Sequence, residues 1–285
     1  MPADASDALD KRVDNNRNNH QKNDHNDRFS GTRRLYGHEA VETLRQSNIC
    51  VIGIGGVGSW AAEALARTAV GHITLIDLDD ICITNTNRHL HALSETIGQS
   101  KVEVMAERIR SINPECNCQV IEDFITPDNI AELITRKFDY VLDAIDNFRV
   151  KAALIAYCKR NKIKIITTGG AGGQMDPTQV QITDLTKTWH DPLARKVRNQ
   201  LRDRHGFSKN TQRKFGVDCV FSTEQAVYPQ ADGSVCQTKP TAGGSMKMDC
   251  ASGFGASTAV TATFGFAATA RMIKKLINKP PSPTS

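Results

Sequence analysis

Short apolar runs alternate with longer amphipathic stretches along most of this chain. Ile49-Cys50-Val51-Ile52 enters the glycine cluster Gly53-Ile54-Gly55-Gly56-Val57-Gly58, and helical spacing follows at once in Trp60, Ala61, Ala64 and Leu65. That order predicts a buried strand, a tight turn and a helix N-terminus. Ile73-Thr74-Leu75-Ile76 predicts a second strand, with Gly71 as C-cap of the helix before it. The pattern then predicts a helix over 101–111, a strand over 118–121, a helix over 127–135 with Pro127 near its start, and a strand over 140–147 that ends in acids. A helix over 150–162 and a strand over 163–168, entering the glycines of 169–173, complete the alternation. It predicts an α/β fold with a doubly wound, mostly parallel, Rossmann-like sheet over 29–173.

After residue 173 the rhythm changes. Strands are expected over 179–183 and 217–223, and a long helix with a basic end over 256–278. Residues 174–279 therefore read as a substrate-side extension, and 29–279 as one domain. Ahead of the first strand, Ala40, Val41 and Leu44 mark an amphipathic helix, with Arg33 and Arg34 just before it. Residues 1–28 are rich in Asn, Asp and His and read as an unstructured tail, in which His20 and His25 are solvated; residues 280–285 form a second tail.

Composition narrows the class. A chain 39% hydrophobic and 24% charged fits a soluble globular protein. Its net charge of +5 admits an anionic partner. Eight scattered cysteines beside a glycine-rich turn read as reduced thiols, and the polar N-terminus has no apolar signal segment, so a cytoplasmic location is expected. Residues 251–270 carry no charge, but their Gly, Ser and Thr content favours a packed core helix over stable membrane insertion, leaving only weak association through that stretch.

The chemistry concentrates at predicted strand ends. Gly53, Gly55, Gly56 and Gly58 let the backbone turn and let phosphate approach the helix N–H groups. Asp77, closing the second strand, suits ribose hydroxyls. Such a turn alone is compatible with NAD, but Arg88 and Lys101 follow in a polar loop and a helix start, and two cations suit a triphosphate better. Asp146, at the end of another predicted strand, suits Mg²⁺ held through phosphates.

The motifs Gly53–Gly58, Asp77-Leu78-Asp79, Asn85-Thr86-Asn87-Arg88, Lys101 and Asp143-Ala144-Ile145-Asp146-Asn147 resemble the ThiF/MoeB superfamily of adenylating enzymes, related to ubiquitin-activating enzyme. Arg34-Leu35-Tyr36-Gly37, Thr168 through Gln174, Asp218-Cys219-Val220-Phe221-Ser222-Thr223-Glu224 and Asp249-Cys250-Ala251-Ser252-Gly253 are similar to its TcdA (CsdL) branch of tRNA threonylcarbamoyladenosine dehydratases. The resemblance implies ATP held by the glycine turn, Asp77, Asp79, Asn85, Arg88, Lys101 and Asn147, with Mg²⁺ placed by Asp146. It also implies a homodimer in which Arg34 reaches the neighbouring protomer's ATP. Many superfamily members carry two CxxC pairs for zinc; this chain has none, so no zinc is expected.

The implied reaction is ATP-dependent cyclisation of N6-threonylcarbamoyladenosine in the tRNA anticodon loop, through carboxylate adenylation. The alternative is adenylation of the C-terminal Gly-Gly of a small sulfur-carrier protein; an NAD-dependent oxidoreductase is disfavoured by Arg88, Lys101 and Asp146. Cys219 is expected to be buried, and Cys236, in an expected loop, is the candidate reactive thiol for a sulfur-relay partner. Arg195, Arg198 and Arg202, in a basic segment, either track tRNA phosphates or form a solvated helical face.

Overall fold

Six of the seven main strands run parallel. This computed structural model describes residues 24–230, 232–238 and 254–278. Its sheet comprises β1 (Asn48–Ile52), β2 (His72–Ile76), β3 (Asn117–Ile121), β4 (Tyr140–Asp143), β5 (Ile165–Thr168), β6 (Val180–Asp184) and β7 (Asp218–Ser222). The order is β3-β2-β1-β4-β5-β7-β6, with only β6 antiparallel, at one edge. This is the expected doubly wound, mostly parallel, Rossmann-like sheet. A separate pair joins β8 (Tyr228–Pro229) to β9 (Val235–Cys236).

Strand alternation sends side chains to two apolar layers. Ile49, Val51, Leu75, Leu142 and Val220 face helices α2 (His38–Gln46), α3 (Gly58–Ala66), α4 (Lys101–Ile112) and α8 (Thr258–Ile277). Cys50, Ile52, Val141, Ile165 and Cys219 face α5 (Ile130–Leu133), α6 (Phe148–Arg160) and α7 (Pro192–Arg204). Burial of both sheet faces explains why the strands read as unbroken apolar runs.

The stretch of residues 251–270 lies partly outside the described residues; its described part opens α8, a core helix. Val260, Phe264, Ala268 and Met272 are buried, and a Cβ on Gly265 would come within 2.6 Å of the Val57 carbonyl. Helices α8 and α3 therefore touch backbone to backbone. The basic end of α8 turns inward: Arg271 and Lys275 lie 2.8 and 2.6 Å from the Asp218 carboxylate. Among the described residues no helix is long and apolar enough to cross a membrane.

Several elements differ from expectation. The arginines ahead of α2 lie on a further helix, α1 (Ser30–Tyr36), separated from it by Gly37 at φ +91°. Residues 24–28, placed in the tail by composition, are helical, and His25 is buried against Phe29; residues 1–23 and 280–285 lie outside the described residues. Gly71 does not cap a helix. Ala69 takes the left-handed turn at φ +66°, and Gly71 is pressed on Arg45, whose carbonyl a Cβ would meet at 1.8 Å. Helix 127–135 shrinks to α5 because the Asn129 side chain bonds Thr126 N–H and the Phe124 carbonyl, holding a turn in place of helix.

Candidate active site

Strand register gathers the strand ends into one row. Ile52 pairs with Ile76 on one side and Asp143 on the other, so Gly53, Asp77 and Ala144 follow together at the carboxyl-terminal edge. Gly53 has φ +84°, and a Cβ there would lie 2.9 Å from the Ala144 carbonyl. A Cβ on Gly58 would lie 1.8 Å from the Gly53 carbonyl. Only glycine at both positions allows the turn to close on α3. Among the described residues no side chain caps the N-terminus of α3, and such an end is suited to a phosphate.

Asp77 fixes that turn. One carboxylate oxygen accepts the Ile54 N–H at 2.6 Å and the other the Asp79 N–H at 3.0 Å. Lone pairs remain on both oxygens for ribose hydroxyls. Gly55 accepts from Ser59 N and Oγ. The Arg88 side chain lies over Gly56, and its guanidinium donates to the Thr84 carbonyl and to Asn87 Oδ1. Asn85 is buried and accepts from Cys82 N–H, so it shapes the polar loop. Lys101 is nearly covered and pairs with the exposed Asp79 carboxylate at 2.7 Å.

Two histidines missed by sequence reasoning complete this side. His89 packs on Gly55, and His91 lies beside it with ring centroids 5.7 Å apart. Both are buried; neither nitrogen of His91, nor His89 Nδ1, has a hydrogen-bond partner among the described residues. Burial holds His89 at about 3 and His91 at about 4, with Lys101 reinforcing both and Arg88 the first. They are neutral at physiological pH.

Past β4, Asp146 is exposed, with no side-chain partner among the described residues. Asn147 is the N-cap of α6, accepting from Arg149 and Val150 N–H, so its oxygen already has a structural task. Beneath them lies a buried ion pair that sequence reasoning also missed. Lys151 Nζ is 2.9 Å from Asp143 Oδ2, both side chains at most 1% exposed, and Thr167 Oγ1 bridges them. Asp143 Oδ1 also accepts the Ile145 N–H, which steers the chain toward Asp146.

The other candidates are dispersed. Arg34 is exposed on α1. Of the three candidate arginines on α7, Arg195 is exposed, whereas Arg198 donates to Thr188 and the Leu185 carbonyl and Arg202 lies over the Phe215 ring. Cys219 is fully buried, and burial pushes its thiol far up. Cys236 lies in β9, not a loop, and is half-buried. Sequence reasoning overlooked Cys82: it is exposed beside Lys101's loop, and the Thr84 hydroxyl bonding to its sulfur draws its pKa down. Among the described residues no His, Cys, Asp and Glu group could hold a metal by itself.

Comparison with known proteins adds four findings. The ThiF family model matches residues 29–285. The chain is 63% identical over 252 residues to the tRNA threonylcarbamoyladenosine dehydratase of Escherichia coli, covering 88% of this chain and 94% of that protein. It is 58% identical, at the same coverage, to the Haemophilus influenzae protein of that name. The crystal structure of E. coli tRNA N6-threonylcarbamoyladenosine dehydratase, TcdA, in complex with ATP superposes with a TM-score of 0.79 at 57% identity, covering 88% and 94% of the two chains.

Proposed function

The chain belongs to the ThiF family, and on that premise we propose that it catalyses ATP-dependent dehydration of N6-threonylcarbamoyladenosine in tRNA to the cyclic form. The observation that carries this reading is the near-complete coverage, at high identity, of relatives that bear that activity's name. Adenylation of a sulfur-carrier protein is set aside on the same ground.

The chemistry follows from a carboxylate being a poor electrophile. The threonyl carboxylate attacks the ATP α-phosphorus, the bond to the β-phosphate oxygen breaks, and pyrophosphate leaves. The substrate's carbamoyl group then attacks the activated carbonyl, closing a five-membered ring, releasing AMP and losing one proton. The net change in the RNA is loss of one water.

In this reading the turn of Gly53 to Gly58 and the α3 N-terminus hold phosphate oxygens, Asp77 holds the ribose, and Arg88 and Lys101 offset charge on the departing pyrophosphate. Among the described residues only Nη1 of Arg88 is engaged, by the Thr84 carbonyl and Asn87 Oδ1, so its Nε and Nη2 donors can turn to phosphate. Asp146 fits Mg²⁺: a free exposed carboxylate at a strand end suits an ion held mainly by phosphates and water. That ion would neutralise phosphate charge. The reading includes a homodimer, with exposed Arg34 offered to a second protomer, and a cytoplasmic site of action. Arg195 would meet RNA phosphate, and Cys236 would meet a sulfur-relay protein.

Purified protein incubated with ATP, Mg²⁺ and tRNA carrying the open threonylcarbamoyl form tests this. Nucleoside mass analysis should show a product lighter by one water, dependent on ATP and lost in Asp146→Ala. No mass change, with pyrophosphate exchange stimulated by a small protein ending in Gly-Gly, would restore the carrier-activating alternative.

A further inference from the structure

We propose that Trp189 is a stacking platform for a nucleobase of the RNA substrate. This rests on the dehydratase reading and extends it to the second substrate. Trp189 is 46% exposed, and its ring packs T-shaped against Phe221, at 4.8 Å and 70°. Its indole N–H has no acceptor among the described residues. A large aromatic side chain left open in this way is unusual for a core residue and suited to a π-face ligand.

The backbone around it is pinned on both sides. Thr188 is buried, donates to the Leu185 carbonyl at 3.1 Å and accepts from Arg198. His190 takes φ +53°, a left-handed conformation few side chains adopt, and its Nδ1 lies 3.0 Å from the Thr223 carbonyl. Asp191 caps α7 through Ala194 N–H and accepts the Gly170 N–H at 3.1 Å. The indole is thus presented by a rigid loop, and Arg198 is a positioning residue for it instead of a phosphate contact.

Its place along the sheet gives the partner. Gly170 follows β5 and Thr223 follows β7, and these strands are parallel neighbours. Trp189 therefore stands on the same carboxyl-terminal edge as the glycine turn, Asp77 and Asp146, which follow β1, β2 and β4. With ATP across β1, β2 and β4, a carboxylate in line with its α-phosphate belongs to a nucleoside lying next along the edge, over β5 and β7. Single-stranded RNA loops offer unstacked bases, and proteins receive them on aromatic faces.

The chain holds two tryptophans, so Trp60→Phe leaves Trp189 as its sole indole fluorophore. Titration of that variant with an anticodon stem-loop should quench its emission. In steady-state assays with the stem-loop in the open threonylcarbamoyl form, Trp189→Ala should raise the RNA KM about tenfold or more. The ATP KM should stay level, and Trp189→Phe should recover most of the loss. An unchanged RNA KM together with unquenched emission overturns the proposal, as does quenching by a Gly-Gly carrier protein but not by RNA. Absence of cyclic product with the parent protein would overturn the dehydratase reading instead, and the fluorescence titration would still decide the stacking.

Discussion

Lys101 and Asp79 face each other at 2.7 Å, the lysine side chain only 8% exposed and the carboxylate open to water. In the proposed reading a cation is thereby in place before any nucleotide arrives, with a counter-ion that solvent screens. Lys101→Ala should slow ATP–pyrophosphate exchange by about 100-fold or more. Its unfolding free energy should change by only about 1 kcal/mol, because one partner is exposed. Exchange at the parental rate would remove Lys101 from the mechanism.

The glycine turn makes a graded prediction. A Cβ at Gly58 collides with the backbone of Gly53, whereas one at Gly56 meets only the flexible Arg88 side chain, at 3.1 Å. Gly58→Ala should abolish calorimetric ATP binding, and Gly56→Ala should weaken it only a few-fold. Equal losses would mean that Arg88, not the turn, governs the fit.

Lys151 and Asp143 are a buried pair whose members depend on each other. Lys151→Met leaves a carboxylate with no access to water and should cost about 3–5 kcal/mol in urea unfolding. Combining it with Asp143→Leu should recover most of that cost, because the uncompensated charge disappears. A double variant as unstable as the single one would show that Thr167 and the Ile145 N–H depend on the Asp143 carboxylate.

Acid should weaken the fold through the histidine pair. In the unfolded chain an imidazole titrates near 6.5, but His89 and His91 are held at about 3 and about 4. Below pH 6.5 the unfolded state takes up protons that the folded state refuses, so stability drops as pH falls from there toward 4. Between pH 7.5 and 5 each should account for about 2 kcal/mol. His89→Gln should lose about 2 kcal/mol less than its parent over that interval in denaturant titrations at the two pH values. Asp191, whose carboxyl burial pushes upward, acts in the opposite sense but cancels in the comparison. Identical slopes would show that His89 is not held neutral.

The phosphate edge was readable because its residues are consecutive: a strand end, its glycines and a helix start follow one another, and local sterics allow little else. Asp77 and Lys101 were expected at a strand end and a helix start, where the structure places them, and Arg88 lies in the polar loop between them. What escaped depends on register. Lys151 is the fourth residue of a helix and reads as solvated; only the pairing of Asp143 with Thr167 reveals its partner. Arg198 looks like its basic neighbours until the loop of Thr188 folds back on it. Asn147 looked like a ligand because it adjoins Asp146, yet helix capping explains it. His89 and His91 were lost among polar loop residues, since burial of a loop side chain has no periodic signature.

The backbone contact of Gly265 with Val57 also bears on how the molecule is made. Helix α3, which in the proposed reading turns its N-terminal N–H groups to phosphate, has its apolar side covered by a helix synthesised about two hundred residues later, and Thr269 Oγ1 donates to the Ala61 carbonyl across that interval. Asn87, in the loop beside Arg88, is likewise held by the Ala256 carbonyl. Contacts so distant in the chain are slow to form. On the ribosome the sheet can assemble early, but the edge at Gly53 to Gly58 acquires its final support only when α8 emerges, so a nascent chain completes that edge some two hundred residues after its first strand.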